Sequence, residues 1–415
     1  MIYGWNMETN MKLLFLTLLD FESLEEHNLY TDLLREFYRH GHDIYVVSPV
    51  ERRYHKPTLY KDIDSRQHIL KLRIGNTQKT NIVEKGISTV TLEHTFIRGI
   101  RKYMGNVKFD LILYSTPPIT LQRAVAYVKK RDQAHTYLLL KDIFPQNALD
   151  LGMLREQGIK GMLYRYFRQK EKRLYALSDR IGCMSEANRE YVIKHNPEID
   201  PKKVEICPNS IEVQNISISE NEKAKIRETY EIPMDRTVFV YGGNLGKPQG
   251  IPFLMECLKA EKDNGQVYFL IIGDGTEYPV LEDFCKKEAF SNVRLIQRLP
   301  KEEFDRVVAA CDVGMIFLDH RFTIPNFPSR LLSYMQAGIP VLACTDPNTD
   351  IGKVITDGGF GWWCESNDVK AFRECVFQAW QQGVEMEKNE IYFLKEKYDV
   401  RYAYKLIMKK ENVEQ

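Results

Sequence analysis

The sequence predicts an α/β protein built from two Rossmann-like, doubly wound domains facing each other across a cleft. The chain has 415 residues, about three times the commonest domain length, so two domains of roughly 200 residues each are expected. Apolar strand-like runs alternate with helix-like stretches almost throughout, the pattern of parallel sheets joined by crossover helices. With 44% hydrophobic and 11% aromatic residues, the chain can fill two cores and resembles neither a disordered nor a fibrous protein.

In the first half, Leu13–Leu19 reads as a buried strand, Leu29–Arg39 as a helix stopped near Gly41, and Asp43–Val47 as a strand before Pro49. Gly86–Leu92 reads as a strand, Glu93–Met104 as a helix and Asp110–Tyr114 as a strand. A helix after Pro117 and Pro118 leads to the strand Thr136–Leu140. A long helix around Ile159–Ala176 precedes the strand Arg180–Cys183, the helix Glu186–Lys194 and the strand Val204–Cys207. Residues 208–219 are polar and lack a helical period, so the linker is placed there.

A second series follows. Its strands are Thr237–Tyr241, Val267–Ile272, Val293–Ile296, Val313–Phe317 and Val341–Ala343. Its helices start near Pro248 and span Tyr278–Lys287, Lys301–Ala310, Arg330–Ala337, Val369–Gln382 and Glu390–Lys410. The expected division is 11–207, 208–390, and a C-terminal helix at 391–415 that packs back on the first domain.

Charge and cysteine usage narrow the function. Fifty-eight basic and 57 acidic side chains leave a net charge of +1, so no nucleic-acid partner is expected and any anion site must be local. All eight cysteines lie after residue 180 without a C-x-x-C pair, and the histidines lack H-x-x-x-H spacing. Buried free thiols of a reducing compartment are expected, and no metal site. The apolar run Met11–Leu19 is too short for a bilayer, which needs about 20 residues. The ten residues before it carry no Lys or Arg, so they do not read as a secretory signal; they are left out of the fold. A cytoplasmic protein is expected.

In open α/β sheets, ligands bind beyond the carboxyl ends of the strands. Three such places stand out. Gly242-Gly-Asn-Leu-Gly-Lys-Pro-Gln-Gly250 follows a strand; its glycines let backbone approach a phosphate, and Lys247 adds a charge beside a diphosphate. A plain tight turn with a surface lysine is the bland alternative. Gly273-Asp274-Gly275 follows the next strand and admits part of a nucleotide, although alone it is more often a structural turn. In Pro325-Asn-Phe-Pro-Ser-Arg330, Pro328 fits the first position of a helix, and Ser329 and Arg330 lie at its positive end. Two anion-competent helix starts and a G-D-G turn in one half suggest a nucleotide diphosphate held without a metal.

Taken as an ordered series, Cys207-Pro-Asn209, Tyr241-Gly-Gly-Asn-Leu-Gly246, Ile272-Gly-Asp-Gly275, Arg298-Leu-Pro300 and Phe327 through Val341 resemble the nucleotide-sugar domain of retaining glycosyltransferases of family 4, of the GT-B fold. Arg39 through Pro49, Asp142-Ile-Phe-Pro145 and Cys183-Met-Ser-Glu186 are similar to the family's first domain. The resemblance implies an acceptor-binding first domain and a donor-binding second. It places Gly242, Gly243, Asn244, Gly246 and Lys247 at the donor phosphates, with Pro328, Ser329 and Arg330 at the second helix start. Gly273 and Asp274 would line the donor pocket, and Arg298 would border the base. Asp142 would act at the reacting sugar or the acceptor hydroxyl, with Lys247 and Arg330 as its catalytic partners on the leaving group.

Three departures stand beside these matches. Lys141 stands where many members place a histidine. The family's two glutamates, with seven residues between them, would fall on Pro325 and Ser333, and the early glycine-rich loop is replaced by Asp20–His27.

The implied reaction moves a hexosyl or N-acetylhexosaminyl group from a nucleotide diphosphate sugar, with no cofactor and no metal, to a glycan or lipid-linked glycan in surface polysaccharide synthesis. Cations and helix N-termini would stabilise the diphosphate leaving group. Aromatic and basic residues interleave in Arg98–Met104 and Tyr164–Tyr175, which suits peripheral contact with an anionic membrane as well as a solvated basic face over a core stripe. A nucleotide-sugar epimerase and a non-catalytic nucleotide-sugar-binding protein are the alternatives. A dinucleotide dehydrogenase is disfavoured, because the first strand runs into Asp20-Phe-Glu and not a glycine fingerprint.

Overall fold

The computed structural model describes residues 10–20, 22–76, 82–214, 216, 218–382 and 389–409. The leader read at residues 1–10 lies almost wholly outside them. The first unit contains β1 (Lys12–Leu16), α1 (Leu29–Arg39), β2 (Asp43–Glu51), β3 (Leu59–Asp62), β4 (Gln67–Ile74), α2 (Ile82–Tyr103) and β5 (Leu111–Thr116). It continues with α3 (Gln122–Asp132), β6 (His135–Leu140), α4 (Gln146–Asp150), α5 (Gly158–Leu177), β7 (Arg180–Cys183), α6 (Glu186–His195) and β8 (Val204–Ile206). The second unit holds α7 (Glu220–Thr229), β9 (Thr237–Asn244), α8 (Ile251–Ala260), β10 (Val267–Asp274), α9 (Tyr278–Glu288), β11 (Val293–Gln297), α10 (Lys301–Ala309) and β12 (Val313–Phe317). After these come α11 (Arg330–Ala337), β13 (Val341–Thr345), α12 (Ile351–Asp357), β14 (Gly361–Glu365), α13 (Val369–Gln382) and α14 (Asn389–Lys397), and the chain returns to the first unit with α15 (Val400–Met408).

The first sheet has the order β3-β4-β2-β1-β5-β6-β7-β8 and is parallel except for the edge strand β3. The second has the order β11-β10-β9-β12-β13-β14 and is parallel throughout. Strand order reverses between β1 and β5 in one sheet and between β9 and β12 in the other, which marks where each sheet opens for a ligand. Strands such as β1 and β12 are nearly continuous apolar runs because helices cover both faces of a parallel sheet. α1 begins where the Asn28 side chain accepts from the N–H groups of Tyr30 and Thr31, and it buries Leu33, Leu34 and Phe37.

Several expectations change. Residues 86–92, read as a strand from their β-branched residues, lie within α2. β3 and β4 went unread because charged residues interrupt them; Lys71 of β4 is buried and pairs with Asp20 at 2.7 Å and Glu22 at 2.6 Å. The units divide at 212/213 and 399/400, not at 207/208 and 390/391. The start of the supposed linker belongs to the first unit because Asn209 and Ser210 are buried and Glu212 bridges Arg35 and Arg39. α14 belongs to the second unit, where Leu394 is buried and Ile391 lies against Gly338. All eight cysteines are free thiols, and all but Cys285 are buried. Among the described residues, no helix is long and apolar enough to cross a membrane.

Candidate functional site

In the second unit, β9 and β10 run three and two residues further than expected, into the glycine turns themselves. β9 and β10 pair through Gly242 with Ile272, Gly243 with Gly273 and Asn244 with Asp274. Close approach explains the glycines: a Cβ on Gly273 would lie 2.1 Å from the Gly243 carbonyl oxygen. Gly243 itself has φ +124°, a conformation that an L side chain rarely adopts. The Leu245 N–H donates to the Asp274 carbonyl at 2.9 Å and ties the two turns together.

On its other side, β9 separates from β12. Pairing ends at Tyr241 with Met315, and the Tyr334 hydroxyl fills the fork. It accepts from the Gly242 N–H at 3.1 Å and donates to the Met315 carbonyl at 2.9 Å. Tyr334 lies one turn after Arg330 in α11. The Arg330 guanidinium rests 4.3 Å from the centre of the Tyr241 ring, and its Nη2 lies 3.5 Å from where a Cβ on Gly243 would be. Its Nη1 is buried and has no hydrogen-bond partner among the described residues. Burial opposes the charge, but the Tyr241 and Tyr334 oxygens outweigh it, so the guanidinium pKa is raised. A cation with an unused donor beside open backbone at a strand fork is chemically suited to an oxyanion.

The structure therefore brings Gly242, Gly243, Asn244, Gly273, Asp274 and Arg330 together at one sheet end. Gly246 closes the same turn, its N–H donating to Gln249 Oε1 at 3.2 Å, which Asn244 Nδ2 also reaches at 3.2 Å. Lys247 is exposed, and among the described residues its ammonium has neither a hydrogen bond nor an ion pair. Arg298 is exposed directly after Gln297, which pairs with Gly273. Ser329 is exposed and its side chain makes no cap; the helix begins at Arg330, later than Pro328 in first position implied.

The other expected helix start differs as well. Lys247–Gln249 form a 3-10 turn, and α8 begins only after Gly250, which lies against Leu318 and Asp319. Neighbouring backbone fills that helix end. Tyr241, Tyr334 and Gln249 lie in the quoted motifs, but the sequence gives them no role; the spacing of Tyr334 four residues after Arg330 is the signal that points to one.

Asp142 belongs to the first unit and follows β6. Asn147 Nδ2 donates to its Oδ2 at 2.7 Å, and Thr116 Oγ1 donates to its carbonyl oxygen at 3.1 Å. Burial pushes its carboxyl up to about 7 against the opposing hydrogen bonds from the Ile143 N–H and Asn147. Lys141 turns elsewhere, with Nζ 3.4 Å from the Cys207 carbonyl oxygen, and burial lowers its pKa.

Two family profiles match the chain: "Glycosyltransferase Family 4" over residues 27–215 and "Glycosyl transferases group 1" over residues 222–392. The chain belongs to the family 4 glycosyltransferases. Among relatives of this glycosyltransferase, the probable glycosyltransferase WbjE of Pseudomonas aeruginosa is 24% identical over 73% of this chain and 74% of its own. The putative colanic acid biosynthesis glycosyl transferase WcaI of Escherichia coli is 21% identical over 66% of each chain. The fold is GT-B: Anabaena HepE in complex with UDP-glucose aligns over 96% of this chain and 98% of its own, at TM-score 0.65 and 15% identity. Sucrose-phosphate synthase from Thermosynechococcus elongatus aligns over 96% and 97%, at TM-score 0.74 and 12% identity.

Within this glycosyltransferase, Pro325, which is buried, and Ser333, which is partly buried, carry no carboxylate at the two positions where the family has glutamates. The one acid of the loop between β12 and α11, Asp319, is engaged by Arg321 at 2.7 Å.

Proposed function

We propose that this glycosyltransferase moves a hexosyl or N-acetylhexosaminyl group from a nucleoside diphosphate donor to a hydroxyl of a glycan or lipid-linked glycan, with retention at the anomeric carbon. Its setting would be surface polysaccharide synthesis at an anionic membrane face. The observation that carries the reading is Arg330, whose buried Nη1 lacks a partner beside the open backbone of Gly243. As the glycosidic bond to the diphosphate breaks, negative charge grows on the leaving oxygen. Arg330, the exposed ammonium of Lys247 and fixed backbone N–H groups would stabilise it without help from a metal ion. Asp142, poised near neutrality, would serve the acceptor hydroxyl or the reacting sugar. HepE, described in complex with UDP-glucose, makes uridine donors the first to try. WcaI, described for colanic acid biosynthesis, supports the polysaccharide setting.

Calorimetry with UDP- and GDP-sugars tests this. A donor is expected to bind and to raise the melting temperature by mass action. Arg330→Met and Lys247→Ala should each weaken donor binding or transfer at least about tenfold, the weight of a charge-assisted hydrogen bond, and change stability far less. Transfer should persist in EDTA. Failure of every nucleotide sugar to bind would overturn the reading, and donor incubated alone that emerges as its epimer would replace transfer with epimerisation.

A further inference from the structure

We propose that Asn147 is a positioning residue for Asp142: its side-chain amide holds one carboxyl oxygen, leaves the other to an incoming hydroxyl, and favours the ionised form. This deepens the role given above to Asp142 and rests on that reading for its purpose, though not for its geometry. Asn147 Nδ2 donates to Asp142 Oδ2 at 2.7 Å, the short separation of a donor meeting a charged acceptor. Asn147 Oδ1 is buried and has no hydrogen-bond partner among the described residues. Turned over, the amide would set Oδ1 against Oδ2, two acceptors in contact. Asp142 itself is partly exposed, so its carboxyl stays within reach of a ligand.

The turn between the two residues is fixed from several sides. In α4 the Asn147 N–H donates to the Ile143 carbonyl at 3.1 Å, and its carbonyl accepts from the Leu151 N–H at 3.2 Å. Gln146 donates to Asp150 at 2.8 Å and accepts from the Tyr164 hydroxyl of α5 at 2.9 Å. The Phe144 ring meets Phe167 of α5 edge-on, 5.1 Å away. Charge then leaves the amide decisive. Burial and Glu171 of α5 oppose ionisation of Asp142, and the groups that favour it are the Ile143 N–H and Asn147. Glu171 is itself engaged by Arg168 at 2.7 Å and by the Tyr175 hydroxyl at 2.8 Å. Lys141, next in the chain, turns its ammonium to the Cys207 carbonyl at 3.4 Å. Asn147 is thus the one side chain that favours the carboxylate. Without it, the proton would be held to higher pH.

Urea unfolding of the full chain, followed from about pH 5 to about pH 9, tests the pairing without any substrate. The parent should lose stability up to about pH 7 and then stay level, as the folded carboxyl releases its proton. Asn147→Leu, similar in shape but without donors, should extend that fall by about one pH unit. Asn147→Asp, which adds a second negative charge and keeps a polar side chain should the leucine variant not fold, should extend it further. Combined with Asp142→Asn, Asn147→Leu should show no fall at all. The same displacement is expected in UDP-glucose turnover, read as UDP released. Asn147→Leu should be about fivefold slower than the parent at pH 7 and close to it at about pH 9, a recovery that mere loosening of the fold would not give. A fall that ends at the parent's pH in the single variants would overturn the proposal. So would UDP release that keeps the parent's pH profile while the titration moves. A displaced titration in a chain that binds no nucleotide sugar would leave the pair standing and remove the transferase reading instead.

Discussion

Asp142 shows how one residue's surroundings set its chemistry. Its carboxyl, pushed up to about 7 in the folded chain, titrates near 3.9 when unfolded. Between those values the native state holds a proton that the unfolded state has released, so stability falls as pH rises from about 4 to 7 and is level beyond. Asp142→Asn should remove that slope and be more stable than the parent at pH 8. Urea midpoints across this range read it directly, and an unchanged slope in the variant would discard the assignment. If the ionised carboxylate assists the acceptor, transfer by the parent should climb through pH 7 and the variant should lose it. Asp142 and the glycines were legible because each comes at the end of an apolar run, and Arg330 because it comes beside a proline at a helix start. Tyr241 and Tyr334 were not. A tyrosine in an apolar run reads as core, and only the tertiary fold shows that the Tyr334 hydroxyl replaces the missing rung between β9 and β12.

Among elements, the strands were legible in position but short at their functional ends. Gly-Gly-Asn and Gly-Asp have poor strand propensity, yet β9 and β10 continue through them because each strand supplies the other's hydrogen bonds. The loss of Cβ atoms lets those bonds form beside the turn from Asn244 to Gly250. Gly273→Ala should therefore fail at the level of the element. Its methyl would meet the Gly243 carbonyl oxygen at 2.1 Å and Leu245 at 3.1 Å, and backbone cannot step aside as a side-chain tip can. A destabilisation of about 1–3 kcal/mol is expected, together with loss of donor binding, because Gly243 and Arg330 face the displaced strand end. Thermal melting and UDP-glucose calorimetry measure the two effects; an alanine variant with both intact would show that the paired turns do not shape the site. Where local pattern misled, the cause was equally local. β-Branched residues suggested a strand inside α2, and an ion-paired lysine hid β4.

For the whole molecule, alternation of strand and helix made two parallel sheets readable, but chain path at the seams was not, since it depends on which core a segment enters. α15 lies beyond the second unit in sequence and contributes Val400, Ala403, Tyr404, Ile407 and Met408 to the core of the first. His42 contacts the Tyr404 hydroxyl at 3.0 Å, and Arg180 donates to the carbonyls of Ile407 and Lys409 at 3.2 Å. The core of the second unit, from Phe239 to Ala379, takes nothing from α15. Ending the chain after Asp399 should therefore divide the stability of the two units. Burial of each large apolar side chain is worth about 1.5–3 kcal/mol, so losing Val400, Ile407 and Met408 with Tyr404 removes a sum comparable to the whole stability of a domain, about 5–15 kcal/mol. Calorimetry of the truncated chain should show the first unit unfolded or melting far earlier, while the second keeps its transition and its shift on adding UDP-glucose. An unaltered first transition would mean that α15 adds no stability to the first unit. Loss of the nucleotide-dependent shift would mean that the donor site needs more than the residues gathered at the ends of β9, β10 and α11.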